Sequence, residues 1–267
     1  MPEENKSRPV VLTIAGLDPS GGAGIVADIK TIAAFGCFPC AAITSITFQN
    51  TTGVFGAEHQ SASSLRSQIQ PVISDMRVSG AKTGMLPTPE IIDEVVRVFS
   101  ETDLPAPVVD PVIVSTSGYD LIGPEAADLL KNRLLKVARL VTPNIPEAER
   151  LAGITITNLS DMRVAAERIK QLGPRAVLVK GGHRLASERD AVDVLLNEQG
   201  EFTELRDEYI DVGEVHGSGC TLSAAIASCL ARGMSVEDSV REAKRYVTER
   251  IRALQKQIKI GHGARPL

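Results

Sequence analysis

Val10-Val11-Leu12-Thr13-Ile14-Ala15-Gly16, continued by Leu17-Asp18-Pro19-Ser20-Gly21-Gly22-Ala23-Gly24, is the stretch whose reading decides the fold. The apolar, β-branched run from Val10 to Ile14 reads as a strand buried on both faces. A glycine-rich turn follows. Ile25, Ala27, Ile29, Ile32 and Ala33 then recur at helical spacing, which predicts a helix over 23–35, with Gly36 as a stop signal just beyond it. Downstream the alternation repeats: strand 41–47, helix 63–76, strand 78–83, helix 89–100, strand 108–110, helix 124–137 and strand 140–142. A short helix from Pro146, a helix over 161–172 and a strand over 176–180 come next. Such alternation implies an α/β fold with a mostly parallel central sheet. Two β-like runs, near 191–196 and 202–210, leave no room for a helix between them and predict an antiparallel hairpin at one sheet edge. Helices over 221–231 and 236–254 follow. No linker-like stretch and no repeat interrupts the 267 residues, so one domain is expected across 1–267, with 1–9 as a polar N-terminal extension.

Composition excludes several classes. Lys+Arg number 29 against 33 Asp+Glu, a net charge of −4, and 43% of residues are hydrophobic, an ordinary globular mix. Without a basic surface or a block of like charge, nucleic acid and membrane partners are not expected. No run approaches the ~20 apolar residues of a membrane helix, and 1–9 lacks a signal-peptide core, so the expected location is the cytoplasm. The four cysteines, Cys37, Cys40, Cys220 and Cys229, are too few for a disulfide scaffold. With no Trp, three Tyr and six Phe, a base-stacking platform is hard to build.

Ligands of open α/β sheets sit at the carboxyl ends of the strands, so the loops there are where chemistry is expected. Gly22-x-Gly24-x-x-Ala27 loosely matches a dinucleotide fingerprint, and a nicotinamide dehydrogenase is a rival reading. That reading needs an acidic residue about twenty positions on. No Asp or Glu occurs between Asp28 and Glu58. Cys37-Phe38-Pro39-Cys40 raises a thiol–disulfide oxidoreductase, but it lies at a predicted helix end, whereas the redox motif opens a helix. No G-x-x-x-x-G-K-[ST] occurs, so any nucleoside triphosphate is not held by a P-loop.

His216-Gly217-Ser218-Gly219-Cys220-Thr221 precedes an apolar helix, where several N–H groups lack partners and the helix dipole favours an anion. The position is expected to lower the Cys220 pKa and make the residue a candidate base or nucleophile. The alternative is a glycine-rich turn with a packed cysteine. In Thr142-Pro143-Asn144-Ile145-Pro146-Glu147, Asn144 and Glu147 suit a hydrated Mg²⁺ and a phosphate. The same residues also compose a helix capping box. Lys180-Gly181-Gly182-His183 offers a cation and close backbone near a nucleotide.

Together these segments resemble the ribokinase-like superfamily, and within it the hydroxymethylpyrimidine/phosphomethylpyrimidine kinases. The resemblance spans about 10–263 and rests on the strings at 13–24, Gln49-Asn50-Thr51, Lys82-Thr83-Gly84-Met85-Leu86, Val109-Asp110-Pro111-Val112, 142–149, 179–183, 216–224 and Ile260-Gly261-His262-Gly263. Cysteine at position 220 is informative, because most sugar kinases of the superfamily carry aspartate there. The resemblance implies a three-layer α/β/α fold. It implies transfer of the ATP γ-phosphoryl group to 4-amino-5-hydroxymethyl-2-methylpyrimidine and then to its monophosphate. On this reading Gly217, Ser218, Gly219 and Cys220 are catalytic, Gly16, Asp28, Gln49 and Met85 bind the pyrimidine, and Thr142, Asn144 and Lys180 bind ATP. Asp110 and Glu147 hold Mg²⁺. A homodimer is expected from the family. Pyridoxal kinase and a non-catalytic pyrimidine-binding module are the alternatives. Ser218 replaces the family's more usual threonine, Leu17 a small or hydroxylated residue, and Glu214-Val215 the common Asn and Thr.

Overall fold

The computed structural model describes residues 8–113, 121–182 and 190–267. Its main sheet has nine strands: β1 (Val10–Leu17), β2 (Phe38–Asn50), β3 (Gly53–His59), β4 (Val78–Thr83), β5 (Val108–Val109), β6 (Leu140–Val141), β7 (Ala176–Lys180), β8 (Asp190–Leu196) and β9 (Phe202–Glu208). The spatial order is β3-β2-β1-β4-β5-β6-β7-β8-β9. Strands β2, β1, β4, β5, β6 and β7 are parallel, while β3, β8 and β9 each run antiparallel to the neighbour before them in sequence.

Helices cover both faces. On one lie α2 (Ala62–Asp75), α3 (Pro89–Glu101), α4 (Pro124–Leu129), α5 (Leu135–Val137), α6 (Ile145–Ala152) and α7 (Leu159–Lys170). On the other lie α1 (Gly24–Ala34), α8 (Ser218–Ala231) and α9 (Val236–Leu254). The double-sided burial read from the first strand has a direct basis. Leu12 and Ile14 enter the first core and Val11 enters the second, because successive side chains of a strand point to opposite faces. The pairs Val108/Val109 and Leu140/Val141 divide in the same way.

The expected hairpin at one edge is β8–β9. The opposite edge differs from expectation. β2 extends to Asn50 and turns back as β3, whose Phe55 is 68% exposed, so no alternating buried face marked that strand in the sequence. The helix expected over 124–137 is divided between α4 and α5 by a π turn over Leu130–Leu134. A two-stranded parallel ladder, β10 (Val215–His216) with β11 (Arg265–Pro266), was not anticipated either. Each of its strands contributes two residues, too short for any periodicity to register.

From β1 the chain leaves toward β2 on one side and returns to β4 on the other. This makes the carboxyl end of β1 a switch point, where open sheets form a ligand crevice.

Candidate active site

A cavity of about 680 Å³ opens at this end of the sheet, lined by residues from the β1–α1, β2–β3 and β10–α8 segments and by the ends of β4, β5 and β7. Asp18 organises its first wall. Its carboxylate accepts from Ser20 N at 2.8 Å, Ser20 Oγ at 2.7 Å, Gly22 N at 3.1 Å and Ala23 N at 2.9 Å, and lies 3.0 Å from His216 Nε2. Burial alone would raise the Asp18 pKa, but the His216 and Ser20 contacts outweigh it and hold the carboxyl below its ordinary value. The glycines of this loop serve close packing. A β-carbon added at Gly24, φ +54°, would lie 2.2 Å from Gly16 O.

The second wall is the start of α8. Gly217 caps it in the left-handed region, and a β-carbon there would lie 1.8 Å from Gly22 O. The helix begins at Ser218, three positions earlier than the periodicity marks, because Ser218, Gly219 and Cys220 carry no strong helical signal of their own. Thr221 N donates to Gly217 O, so Ser218, Gly219 and Cys220 form the first turn, whose N–H groups have no intrahelical acceptor. Gly219 brings that turn against an ion pair. Lys180 Nζ lies 3.1 Å from Asp110 Oδ1, and a β-carbon on Gly219 would sit 3.3 Å from Lys180 Nζ.

Cys220 lines the cavity, but its ionisation departs from the sequence expectation. Burial pushes the thiol up to about 11, Asp28 and Asp110 add to the rise, and Lys82 and the Gly24 N–H oppose it without overcoming it. The helix start therefore does not by itself create a resting thiolate. Lys82, whose side chain is wholly buried, also reaches the cavity wall.

Asn144 and Glu147 realise the capping box. Glu147 N donates to Asn144 Oδ1 at 2.9 Å, Asn144 N donates to Glu147 Oε2 at 2.9 Å, and Ile113 N donates to Glu147 Oε1 at 3.2 Å. Both residues nevertheless line the cavity, as do Asp110 and Lys180. Burial raises the Glu147 pKa, and Asp110 raises it further against the lowering influence of Lys180. Two carboxylates with one ammonium leave excess negative charge, which suits a divalent cation. Among the described residues no group of three or more His, Cys, Asp or Glu forms a metal cage. The donor set fits Mg²⁺, which takes one or two carboxylates and keeps several waters.

Gly16, Gln49 and Met85 line the other half of the cavity. A β-carbon at Gly16 would lie 2.9 Å from Met85 Cε, so the glycine makes room for the thioether. Two expected residues are not on the cavity wall. Asp28 is fully buried beneath it, paired with Lys82 and accepting from Thr13 Oγ1 at 2.6 Å. Thr142 is also fully buried, its Oγ1 lying 3.4 Å from Asp110 Oδ1. Each lies one layer behind a cavity residue, Asp28 against Lys82 and Thr142 against Asp110. His183 lies outside the described residues. Cys37 and Cys40 belong to opposite cores, which overturns any dithiol reading. The motifs contain Lys82 and His216 without assigning them a role, because their partners Asp28, Asp18 and Gln49 lie far along the chain, whereas the donors that Asp18 gathers from Ser20, Gly22 and Ala23 are local and went unread.

A family model described as phosphomethylpyrimidine kinase matches residues 18–267. The hydroxymethylpyrimidine/phosphomethylpyrimidine kinase of Streptomyces coelicolor is 44% identical over 92% of this chain and 89% of its own. The crystal structure of the phosphomethylpyrimidine kinase of Clostridium difficile 630 has TM-score 0.80 and 44% identity, covering 91% of this chain and 100% of that one. The pyridoxal kinase of Staphylococcus aureus in complex with AMP-PCP has TM-score 0.87 and 31% identity, covering 98% and 93%. The chain spans about half the length of the bifunctional relatives that it also matches.

Proposed function

We propose that this chain, which belongs to the phosphomethylpyrimidine kinase family, transfers the ATP γ-phosphoryl group to 4-amino-5-hydroxymethyl-2-methylpyrimidine and then to its monophosphate, in thiamine biosynthesis. The observation that carries this reading is one cavity lined at one end by Gln49 and Met85, at the other by Asp110, Asn144, Glu147 and Lys180, with the first turn of α8 between them.

In the proposed reaction, the Gln49 amide pairs with the aminopyrimidine edge and Met85 packs on the ring. The N–H groups of Ser218, Gly219 and Cys220 stabilise charge on the phosphoryl group in flight, beside the Lys180 ammonium. The thiolate fraction of Cys220, which Lys82 favours, accepts the proton that the hydroxymethyl group loses as its oxygen attacks. Asn144 and Lys180 flank the nucleotide phosphates. Mg²⁺, when bound near Asp110 and Glu147, supplies positive charge to the β- and γ-phosphate oxygens, and the capping role of Glu147 favours contact through water.

The reading includes one domain across the chain and a homodimer. Phe48 and Phe55, 53% and 68% exposed on the β2–β3 edge, favour a covered face there. It also includes a cytoplasmic location with neither nucleic acid nor membrane as partner. In support, no described helix is long and apolar enough to cross a membrane, and the net charge is −4. Pyridoxal phosphorylation is a second reading, favoured by the TM-score of the Staphylococcus aureus neighbour and disfavoured by its lower identity. Cys220 and Glu147 speak against a non-catalytic pyrimidine-binding module. The test is ADP release with magnesium and ATP against the hydroxymethylpyrimidine, its monophosphate and pyridoxal, offered separately. Turnover of both pyrimidines supports the reading. Turnover of pyridoxal alone, or of none, overturns it.

A further inference from the structure

We propose that His216 is a positioning residue that fixes which way the Gln49 amide faces, and thereby directs the substrate's hydroxymethyl group toward Cys220. The inference rests on the functional reading above. His216 Nε2 lies 3.0 Å from Asp18 Oδ2 and 3.0 Å from Gln49 Nε2. Asp18, held ionised by four further donors, can only accept. The proton must then reside on His216 Nε2, and with Gln49 drawn nitrogen-first two donors face each other. The group of Gln49 nearest His216 is therefore its oxygen, and the two ends of the amide exchange places.

The far side of the amide reaches the same answer independently. Thr47 Oγ1 lies 2.9 Å from Leu17 O and 2.9 Å from the Gln49 atom drawn as Oε1. A backbone carbonyl only accepts, so the single hydroxyl proton of Thr47 goes to Leu17 O. Thr47 then has only a lone pair for Gln49, which must present its NH₂ group there. Both ends agree: oxygen toward His216, nitrogen toward Thr47.

One acceptor site and one N–H of the amide remain for a ligand. An aminopyrimidine edge matches this pair when its amino group sits on the His216 side and its ring nitrogen on the Thr47 side. The hydroxymethyl carbon is attached next to the amino-bearing carbon, on the side away from that ring nitrogen. It is therefore carried toward His216 and the start of α8. An amide turned the other way would favour a reversed ring, with the hydroxymethyl group away from Cys220.

The test compares kcat/KM for the 4-amino pyrimidine and for its 4-oxo analogue, which presents an acceptor and a ring N–H in place of a donor and a ring acceptor. The parent protein is expected to prefer the 4-amino compound by about 100-fold, the scale of unpaired buried polar groups. His216→Ala should reduce that preference about tenfold. His216→Gln should restore it, because Asp18 again orders the donor. Thr47→Val, at the other end, should reduce it as well. An overall disturbance of the site would lower both substrates together and leave the ratio unchanged, which overturns the proposal. So does a parent protein that does not discriminate. A parent protein that turns over neither pyrimidine overturns the functional reading, and the proposal with it.

Discussion

Lys82 Nζ donates to Asp28 Oδ2 across 2.8 Å, with both side chains wholly excluded from solvent, Lys82 at the cavity wall beside Cys220 and Asp28 beneath it. Burial disfavours the ammonium, but Asp28, Cys220 and Asp110 outweigh it and hold Lys82 above the ordinary lysine range. Breaking such a pair leaves an uncompensated buried charge, whereas removing both partners does not. Lys82→Met is expected to cost about 3–5 kcal/mol of stability. The double variant Lys82→Met/Asp28→Leu should recover most of it. Urea denaturation of the three proteins checks the ordering, and equal losses in the single and double variants would contradict it.

The raised Cys220 pKa sets a pH dependence. Below about 11 the thiolate fraction grows tenfold with each pH unit. A hydroxymethyl group must lose a proton as it attacks, while the monophosphate is already an anionic nucleophile. Phosphorylation of the alcohol should therefore accelerate as pH rises from 7 toward 10, with a slope near one in log kcat/KM, and the second transfer should not share that slope. Cys220→Ala should slow the first transfer far more than the second and abolish the slope. Equal losses in both transfers, measured separately, would remove Cys220 from the role of base.

Glu147 has two duties that one substitution separates. Glu147→Gln keeps an oxygen for one of the two backbone N–H groups, of Asn144 and Ile113, but faces the other with an NH₂, and should cost about 1–3 kcal/mol of stability. It removes a charge facing Asp110, so the magnesium concentration for half-maximal rate should rise about tenfold, the effect of ~1.4 kcal/mol. Because burial and Asp110 raise the Glu147 pKa, acidification should weaken magnesium binding, raising the concentration for half-maximal rate, at a higher pH than for an ordinary glutamate. Titration of the rate with magnesium at several pH values measures both effects.

Gly217 tests whether loop contact or backbone angle matters. Gly217 and Gly200 share positive φ, +84° and +87°, but only Gly217 has a neighbour in the way, Gly22 O at 1.8 Å. Gly200→Ala should cost about 1–2 kcal/mol of stability through φ alone and leave turnover unchanged. Gly217→Ala must also part the two loops that frame the cavity, and kcat should fall by about 100-fold, the scale of one lost oxyanion donor. Matching losses of kcat in the two variants would refute the loop-contact account.

Much of the site was legible because its signals are local. Asn144 and Glu147 are three residues apart, and their capping box follows from that spacing. Gly217 to Cys220 precede an apolar helix, and the first turn follows from that order. Asp28 and Thr142 lie off the cavity wall for the complementary reason: sequence position puts a residue near the site but does not say on which side of the wall its side chain falls.

The sequence by itself determined the alternation of buried strands and helices, the parallel sheet with a hairpin at one edge, and the loops that carry the chemistry, because hydrophobic period and helix signals act over a few residues. Only the tertiary structure decided that Lys82 pairs with Asp28, 54 positions away, and that His216 meets Asp18 across 198. It also decided that burial pushes the Cys220 thiol up to about 11 against the pull of Lys82 and the Gly24 N–H. Those outcomes depend on desolvation and on partners brought together by the crossovers of the sheet, and neither is written in any local stretch of chain.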